Sequence, residues 1–223
     1  MTGTYPHRHT TISLIMNYMM AWMTQVSEQL RSGVHHRTKE EIADELACIR
    51  ECQKDPKHFA PLYTRYHDDI FLFIHKRTND LELTADLTSR TFLQCIRHIS
   101  KFRYQGVPFA SWLYKIALNE VNGYFRKESK KERPVSIDDA QVGLLMQEID
   151  HSEIAIDPYV MIPVLLEQLN EAEVQFIELR FFENKSFKEM GYLLGISAVN
   201  AKIKTYRILS KLQQLSKNIK YND

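Results

Sequence analysis

Basic and aromatic side chains are interspersed between Arg97 and Arg133, a combination suited to binding nucleic acid. The cations are Arg97, Lys101, Arg103, Lys115, Arg126, Lys127, Lys130, Lys131 and Arg133, and the rings are Phe102, Tyr104, Phe109, Trp112, Tyr114, Tyr124 and Phe125. Unstacked bases of single-stranded DNA stack on such rings while the phosphates follow positive charge. The segment from Phe102 to Phe109 contains Gly106 and Pro108, so we expect a loop with accessible rings.

A second DNA-binding pattern lies between Ser186 and Lys211, where a tight turn separates two predicted helices. Ser186 and Ser197 are suitable N-caps, and Glu189 would complete a capping box with Ser186. Gly195 can adopt the positive φ that the turn needs. This spacing predicts a helix-turn-helix motif whose second helix enters the major groove.

The second helix of this motif has one apolar and one basic face when its residues are placed at about 100° intervals. Ala201, Thr205, Ile208 and Leu212 are expected to point inward. The residues expected to contact duplex DNA are Ser186, Lys188, Ser197, Asn200, Lys202, Lys204, Arg207 and Lys211. Lysines would contact phosphates, whereas asparagine and arginine can read base edges.

The three cysteines, Cys48, Cys52 and Cys95, are too few for a disulfide framework and are typical of a reducing cytoplasm. Cys48 and Cys52 lie four residues apart with His58 downstream, but no C-x-x-C pair is present. We therefore favour half-buried thiols over a metal site. No catalytic constellation is recognised, so we expect no enzymatic activity, no metal and no cofactor.

The composition favours a mostly helical protein. The 223 residues are 44% hydrophobic and include only 7 Gly and 7 Pro, so helix breakers are few. Lys and Arg number 29 against 28 Asp and Glu, so net charge alone says nothing about partners. The predicted fold class is all-α, with two small helical domains joined by an acidic linker.

Five parts are predicted along the chain. They are an N-terminal extension (1–45), a helical domain (46–133), an acidic linker (134–159), a helix-turn-helix domain (160–216) and a tail (217–223). Polar residues 78–80 are expected to end the first amphipathic helix of the helical domain. The linker has six acidic residues and no Lys or Arg, and one short helical turn is expected near Val142 to Met146.

The N-terminal extension contains an apolar run from Ile12 to Met23. This run is shorter than the roughly 20 residues that span a bilayer, and no A-x-A cleavage pattern follows it. We therefore expect no stable membrane insertion. An additional packing helix and an over-long start, with Met19, Met20 or Met23 as the true one, remain the alternatives.

Two stretches resemble conserved regions of the extracytoplasmic-function sigma factors. Ala85 to Lys127 is similar to the second region of that family, and Leu165 to Leu212 to the fourth. The matching residues of the second region are Asp86-Leu87 with Phe92, then a loop, then Trp112-Leu113, Ile116-Ala117 and Asn119. The two stretches occur in the order that the family has.

This resemblance implies a non-enzymatic subunit that directs core RNA polymerase to promoter DNA, and the family usually has an anti-sigma factor as well. The residues implied in polymerase binding are Asp86, Leu87, Thr88, Thr91 and Phe92. Those implied in melting the minus-ten element are Phe102, Arg103, Gly106, Pro108, Phe109, Trp112, Asn119, Arg126 and Lys127. The last helix would read the minus-thirty-five element.

Two other functions are compatible with parts of the sequence. A helix-turn-helix regulator that binds duplex DNA without polymerase would explain only the second domain. A metal-dependent nucleic-acid hydrolase would use Cys48, Cys52, His58 and nearby carboxylates. Dependence of promoter binding on core polymerase would separate the first from a sigma factor, and metal analysis would test the second.

Overall fold

The computed structural model describes residues 39–128, 139–149 and 158–220, and these residues are helical without any strand. The α-helices are α1 (Lys39–Lys54), α2 (Ala60–Thr78), α3 (Leu81–His98), α4 (Phe109–Lys127), α5 (Asp139–Ile149), α6 (Pro158–Glu167), α7 (Glu171–Ile177), α8 (Phe187–Leu194) and α9 (Ala198–Lys220). Short 3-10 turns at Pro56–Phe59 and Ile99–Lys101 and a π-helical turn at Glu178–Phe182 complete the elements. The predicted all-α fold is confirmed.

The chain divides into two compact units, residues 1–51 and 52–223. Of the first unit, the structure describes only residues 39–51, which form most of α1. The apolar run at residues 12–23 lies outside the described residues. None of the helices in the described ranges is long and apolar enough to cross a membrane.

The break between α2 and α3 follows from local capping. Asn79 adopts a left-handed conformation with φ of 50°, and its N–H donates to the His75 carbonyl, which ends α2. Asp80 then accepts a hydrogen bond from the Leu83 N–H at 3.0 Å and begins α3. Polar residues 78–80 therefore end the helix where the sequence predicted.

Helices α2, α3 and α4 pack against one another around an apolar core. The buried apolar side chains of this core include Leu62, Tyr66, Ile70, Phe73, Ile74, Leu87, Phe92, Phe109, Leu113, Ala117 and Val121. Their recurrence at steps of three and four is what makes each helix amphipathic. Cys52 and Cys95 are buried in the same unit, and burial raises the pKa of the Cys95 thiol, to which neighbouring Cys52 adds.

The acidic segment is more ordered than predicted. Instead of one short turn, Asp139–Ile149 forms an 11-residue helix, α5, that packs against α6 and α9. Its buried residues are Val142, Leu145, Met146 and Ile149, spaced as one helical stripe. The part of the expected linker at 139–149 is therefore part of the folded C-terminal bundle.

Both helical bundles belong to the compact unit 52–223, and α4 of the first packs on α8 of the second. The Lys115 ammonium donates to the Tyr192 carbonyl at 2.9 Å, and Ser111 Oγ lies 3.3 Å from Glu189 Oε1. The chain therefore passes from one helical bundle to the next near the expected boundary, but the two bundles are in direct contact.

Candidate nucleic-acid and polymerase interfaces

The turn between α8 and α9 has the geometry of a helix-turn-helix motif. Ser186 and Glu189 form the predicted capping box, and Ser197 Oγ accepts the Asn200 N–H at 3.1 Å. Gly195 has a φ of 68°, which a residue with a side chain rarely adopts. A Cβ on Gly191 would lie 2.7 Å from the Ile196 carbonyl oxygen, so the close approach of the two helices also needs glycine there.

The two faces of α9 lie largely as the sequence predicted. Ala201, Thr205, Ile208 and Leu212 are all buried. Asn200, Lys202, Lys204 and Arg207 are exposed on α9, and Ser197 is exposed directly before it. Ser186 and Lys188 are exposed at the start of α8. The exposed residues of α9 present cations and an amide, and they form the basic face of the motif.

Lys211 differs from the other predicted duplex contacts. Its ammonium pairs with Glu173 at 2.8 Å and is half-buried, so it is directed at α7. The hydrogen bond from Lys211 holds the pKa of Glu173 below its usual value. Lys211 therefore differs from the other predicted contacts in having a carboxylate partner, and its contact with duplex DNA stays a prediction.

Three apolar side chains on α9 were not predicted as part of the candidate surface. Val199, Ile203 and Tyr206 are 66%, 44% and 50% exposed. Ile203 and Tyr206 lie beside Lys202 and Arg207 along a shallow groove. The same 100° construction could have identified them, because their positions fall opposite Ala201 and Thr205.

The loop that precedes α4 contains its own small apolar cluster. Phe102 and Phe109 are buried, and their ring centroids lie 5.3 Å apart and 5.3 and 5.5 Å from that of Trp112. The side-chain amide of Gln53, in α1, donates hydrogen bonds to the carbonyls of Ile99 and Phe102 and so holds the start of the loop in place. The expectation that Phe102 and Phe109 are accessible is therefore wrong, since these rings pack on each other.

Other residues of this region are open to solvent. Arg103, Gly106 and Pro108 of the loop are exposed, as are Asn119, Arg126 and Lys127 of α4. Trp112 is half-buried. The exposed ring of the loop is Tyr104, at 48%, which the sequence places among the aromatic side chains of this region. The candidate surface for single-stranded DNA thus combines Tyr104 with cations and an amide.

The predicted polymerase-binding residues of α3 lie mostly in the core. Leu87, Thr88, Thr91 and Phe92 are buried, and the Thr91 hydroxyl donates to the Leu87 carbonyl. Asp86 is exposed and pairs with Arg90 at 2.8 Å. These four residues are therefore not part of the open surface of α3, and their role in polymerase binding stays a prediction. The open face of this helix includes Asp86, Arg90 and Leu93, the last 52% exposed.

A buried charged cluster joins the two bundles and was not predicted. Arg77 is 1% exposed and lies 3.3 Å from Glu178 and 3.1 Å from Glu183. Burial alone would raise the pKa of Glu183, but nearby Lys76, Arg77 and Lys185 outweigh it and lower that pKa. Burial lowers the pKa of Lys185, whose ammonium lies 3.7 Å from the Tyr114 ring centroid. These charges are structural, since they face one another and not solvent.

No group of three or more His, Cys, Asp or Glu side chains in the described ranges is arranged to hold a metal ion. The Cys52 thiol donates to the His58 carbonyl at 3.3 Å. The hypothesis of a metal-dependent hydrolase therefore gains no support from these residues.

Comparison with known families places both candidate interfaces inside matched regions. The family model described as Sigma-70 region 2 matches residues 62–131, and the one described as Sigma-70, region 4 matches residues 165–214. Together they cover more than half of the chain. The first contains α3, the loop and α4, and the second contains α8 and most of α9.

Curated relatives agree with these matches. The chain is 31% identical over 161 residues to the ECF RNA polymerase sigma factor BldN of Streptomyces coelicolor, covering 70% of this chain and 60% of BldN. It is 26% identical over 155 residues to the ECF RNA polymerase sigma factor SigM of Bacillus subtilis, covering 69% of this chain and 92% of SigM. The chain therefore spans about 60% of the length of BldN and most of SigM.

A solved structure has the same fold. The structure of CnrH in complex with the cytosolic domain of CnrY aligns with a TM-score of 0.50 and 17% identity, over 77% of this chain and 96% of that chain. At this identity the likeness concerns the arrangement of helices alone.

Proposed function

Since this chain belongs to the RNA polymerase sigma factors of the extracytoplasmic-function type, we propose that it binds core RNA polymerase, recognises promoter elements and opens DNA to initiate transcription. The observation that carries this proposal is the pairing of two matched regions, in the family order, with a capped helix-turn-helix motif whose second helix exposes Asn200, Lys204 and Arg207.

In the proposed mechanism α9 reads the minus-thirty-five element in the major groove. Lys202 and Lys204 are placed to neutralise phosphates, and Asn200 and Arg207 carry groups that can hydrogen-bond base edges. Exposure at the N-terminal half of α9 supports this assignment, because that end of a recognition helix enters the groove.

The loop and α4 would hold the opened minus-ten strand. Flipping a base costs a few kcal/mol, which stacking and backbone contacts must offset. Tyr104 offers an exposed ring, and Arg103, Arg126 and Lys127 offer cations for the displaced phosphates. Buried Phe102 and Phe109 would shape the loop and not stack on bases themselves.

Polymerase docking is assigned to the exposed face of α3, and an anti-sigma factor is a further candidate partner. No step in this mechanism requires covalent chemistry by a side chain, so we expect a non-enzymatic subunit. We expect it to act in the cytoplasm, where RNA polymerase meets the chromosome. Neither a metal nor a cofactor enters any step.

A helix-turn-helix regulator acting without polymerase is the alternative function. It would account for residues 165–214 but not for the match at residues 62–131. The sigma-factor proposal accounts for both and is favoured for that reason.

Run-off transcription with purified core polymerase and a pool of promoters tests the proposal. We expect transcripts only when both core polymerase and this chain are present, and weak binding of promoter duplex by the chain alone. Tight duplex binding by the chain alone, with no transcript from any promoter, would favour the regulator.

A further inference from the structure

The centre of the exposed face of α9 is apolar and not basic. Val199 and Ile203 lie one helical turn apart and are 66% and 44% exposed, and Tyr206 continues the same face. A single exposed aliphatic side chain on a helix is common and needs no explanation. Adjacent aliphatic side chains on a recognition helix would instead form part of the surface that contacts DNA.

The charged residues beside this apolar stripe indicate which kind of molecule would bind it. Residues 191–222 include no Asp or Glu, and exposed Lys202 and Arg207 lie beside Ile203 and Tyr206 of the stripe. An occupant must therefore present negative charge on both flanks and an apolar group between them. In the major groove of duplex DNA the phosphates supply the charge, and the C5-methyl group of thymine is the apolar group on a base edge.

We propose that Val199 and Ile203 are specificity-determining residues that recognise thymine methyl groups in the upstream promoter element. This inference rests on the proposed function, because it requires α9 to lie in the major groove. Burying the thymine methyl against these side chains is favourable. The polar edge of a G·C pair would instead lose water without gaining a hydrogen bond. The stripe therefore selects for thymine on either strand, while the neighbouring cations hold the backbone.

Deoxyuridine provides a direct test, because it differs from thymidine only by lacking the C5 methyl group. Holoenzyme assembled from core polymerase and this chain is titrated with a promoter duplex that contains either thymine or uracil in the upstream element. We expect about fourfold weaker binding for each contacted methyl group that is removed.

Alanine variants test whether the difference in affinity between the thymine and uracil duplexes comes from Val199 and Ile203. Val199→Ala with Ile203→Ala should bind the thymine and uracil duplexes equally, because both side chains are exposed and the fold does not need them. Leu144→Ala removes a side chain that is 54% exposed on α5 and should keep the full discrimination of the wild-type chain.

The remaining outcomes separate this inference from the proposed function. Equal binding of thymine and uracil duplexes by wild-type holoenzyme, with transcription intact, would overturn the methyl recognition only. Absence of any promoter binding by holoenzyme would overturn the proposed function as well. If the alanine variants kept discrimination but lost binding to an anti-sigma protein, the stripe would be a protein-docking surface and the inference would be wrong.

Discussion

Arg77 brings a positive charge into the interior of the compact unit, where its guanidinium contacts groups from both bundles. It donates to the Phe73 carbonyl at 2.8 Å, lies 3.7 Å from the Phe73 ring centroid and faces Glu178 and Glu183. A buried ion pair gains little over a well-packed apolar pair, but removing one partner leaves an uncompensated charge. Arg77 therefore contributes to stability mainly because its removal would leave the carboxylates of Glu178 and Glu183 without a cation.

We expect Arg77→Met to lower the free energy of unfolding by about 3–5 kcal/mol, because two buried carboxylates would lose their cation. Chemical denaturation followed by circular dichroism measures this change. Arg90→Met is the matched control, since the Arg90–Asp86 pair is about half exposed and should contribute no more than about 0.5 kcal/mol. Equal effects of the two substitutions would contradict the buried role of Arg77.

The same variant should also change the dependence of stability on pH. The pKa of Glu183 is lowered in the folded chain, so its contribution is present above the pKa of an unfolded carboxyl group. That contribution is lost as the pH falls through the folded value. Without Arg77 the folded pKa moves back up, so the variant should lose less stability on acidification than the wild-type chain.

At the scale of single elements, α3 has a buried face and an exposed face. Leu87, Thr91 and Phe92 fill the core, whereas Asp86, Arg90 and Leu93 face solvent. Leu93 is the apolar residue among these three, so burying its side chain in a protein interface would be favourable.

We expect Leu93→Ala to weaken binding to core polymerase about tenfold, with the thermal unfolding midpoint unchanged. Leu87→Ala should instead lower the unfolding free energy by about 2–5 kcal/mol through the cavity it leaves. Competition binding to core polymerase and thermal unfolding distinguish the two effects, with Leu144→Ala as an exposed control. Undiminished polymerase binding by Leu93→Ala would place docking on another face.

Elements whose apolar residues repeat with helical period were predictable from the sequence. The faces of α9, the break at Asn79 and the caps at Ser186 and Ser197 follow from periodicity and local hydrogen bonding, which need no tertiary information. The burial of Phe102 and Phe109 did not follow, because no helical period marks the loop and the folded loop alone brings these rings onto each other and onto Trp112. Helix α5 is longer than the short turn predicted near Val142 to Met146, because acidic flanks are typical of a linker although Val142, Leu145, Met146 and Ile149 recur at helical steps.

At the scale of the whole molecule, the two candidate DNA surfaces lie close together. The Lys188 ammonium lies 2.9 Å from the position that a Cβ on Gly106 would occupy, so α8 meets the loop proposed to hold the opened strand. The minus-ten and minus-thirty-five elements are about 25 base pairs apart, or about 80 Å of duplex. Binding to both elements at once therefore requires α4 and α8 to separate.

We therefore expect contacts between α4 and α8 to oppose DNA binding by the free chain. Lys115 makes the most specific of these contacts, through the Tyr192 carbonyl and a position 4.7 Å from the Tyr192 ring centroid. Lys115→Glu should raise the affinity of the chain for an upstream-element duplex about twofold to tenfold, the equivalent of one lost hydrogen bond. Fluorescence anisotropy without polymerase measures the change.

The sign of this effect makes the experiment decisive. Replacing a lysine by a glutamate adds negative charge, which by itself weakens binding to DNA. Lys127→Glu makes the same charge change at the exposed end of α4 and should lower the affinity or leave it unchanged. A rise confined to Lys115→Glu can then come only from release of the α4–α8 contact. Equal losses in both variants would mean that the contact does not limit access to the helix-turn-helix motif.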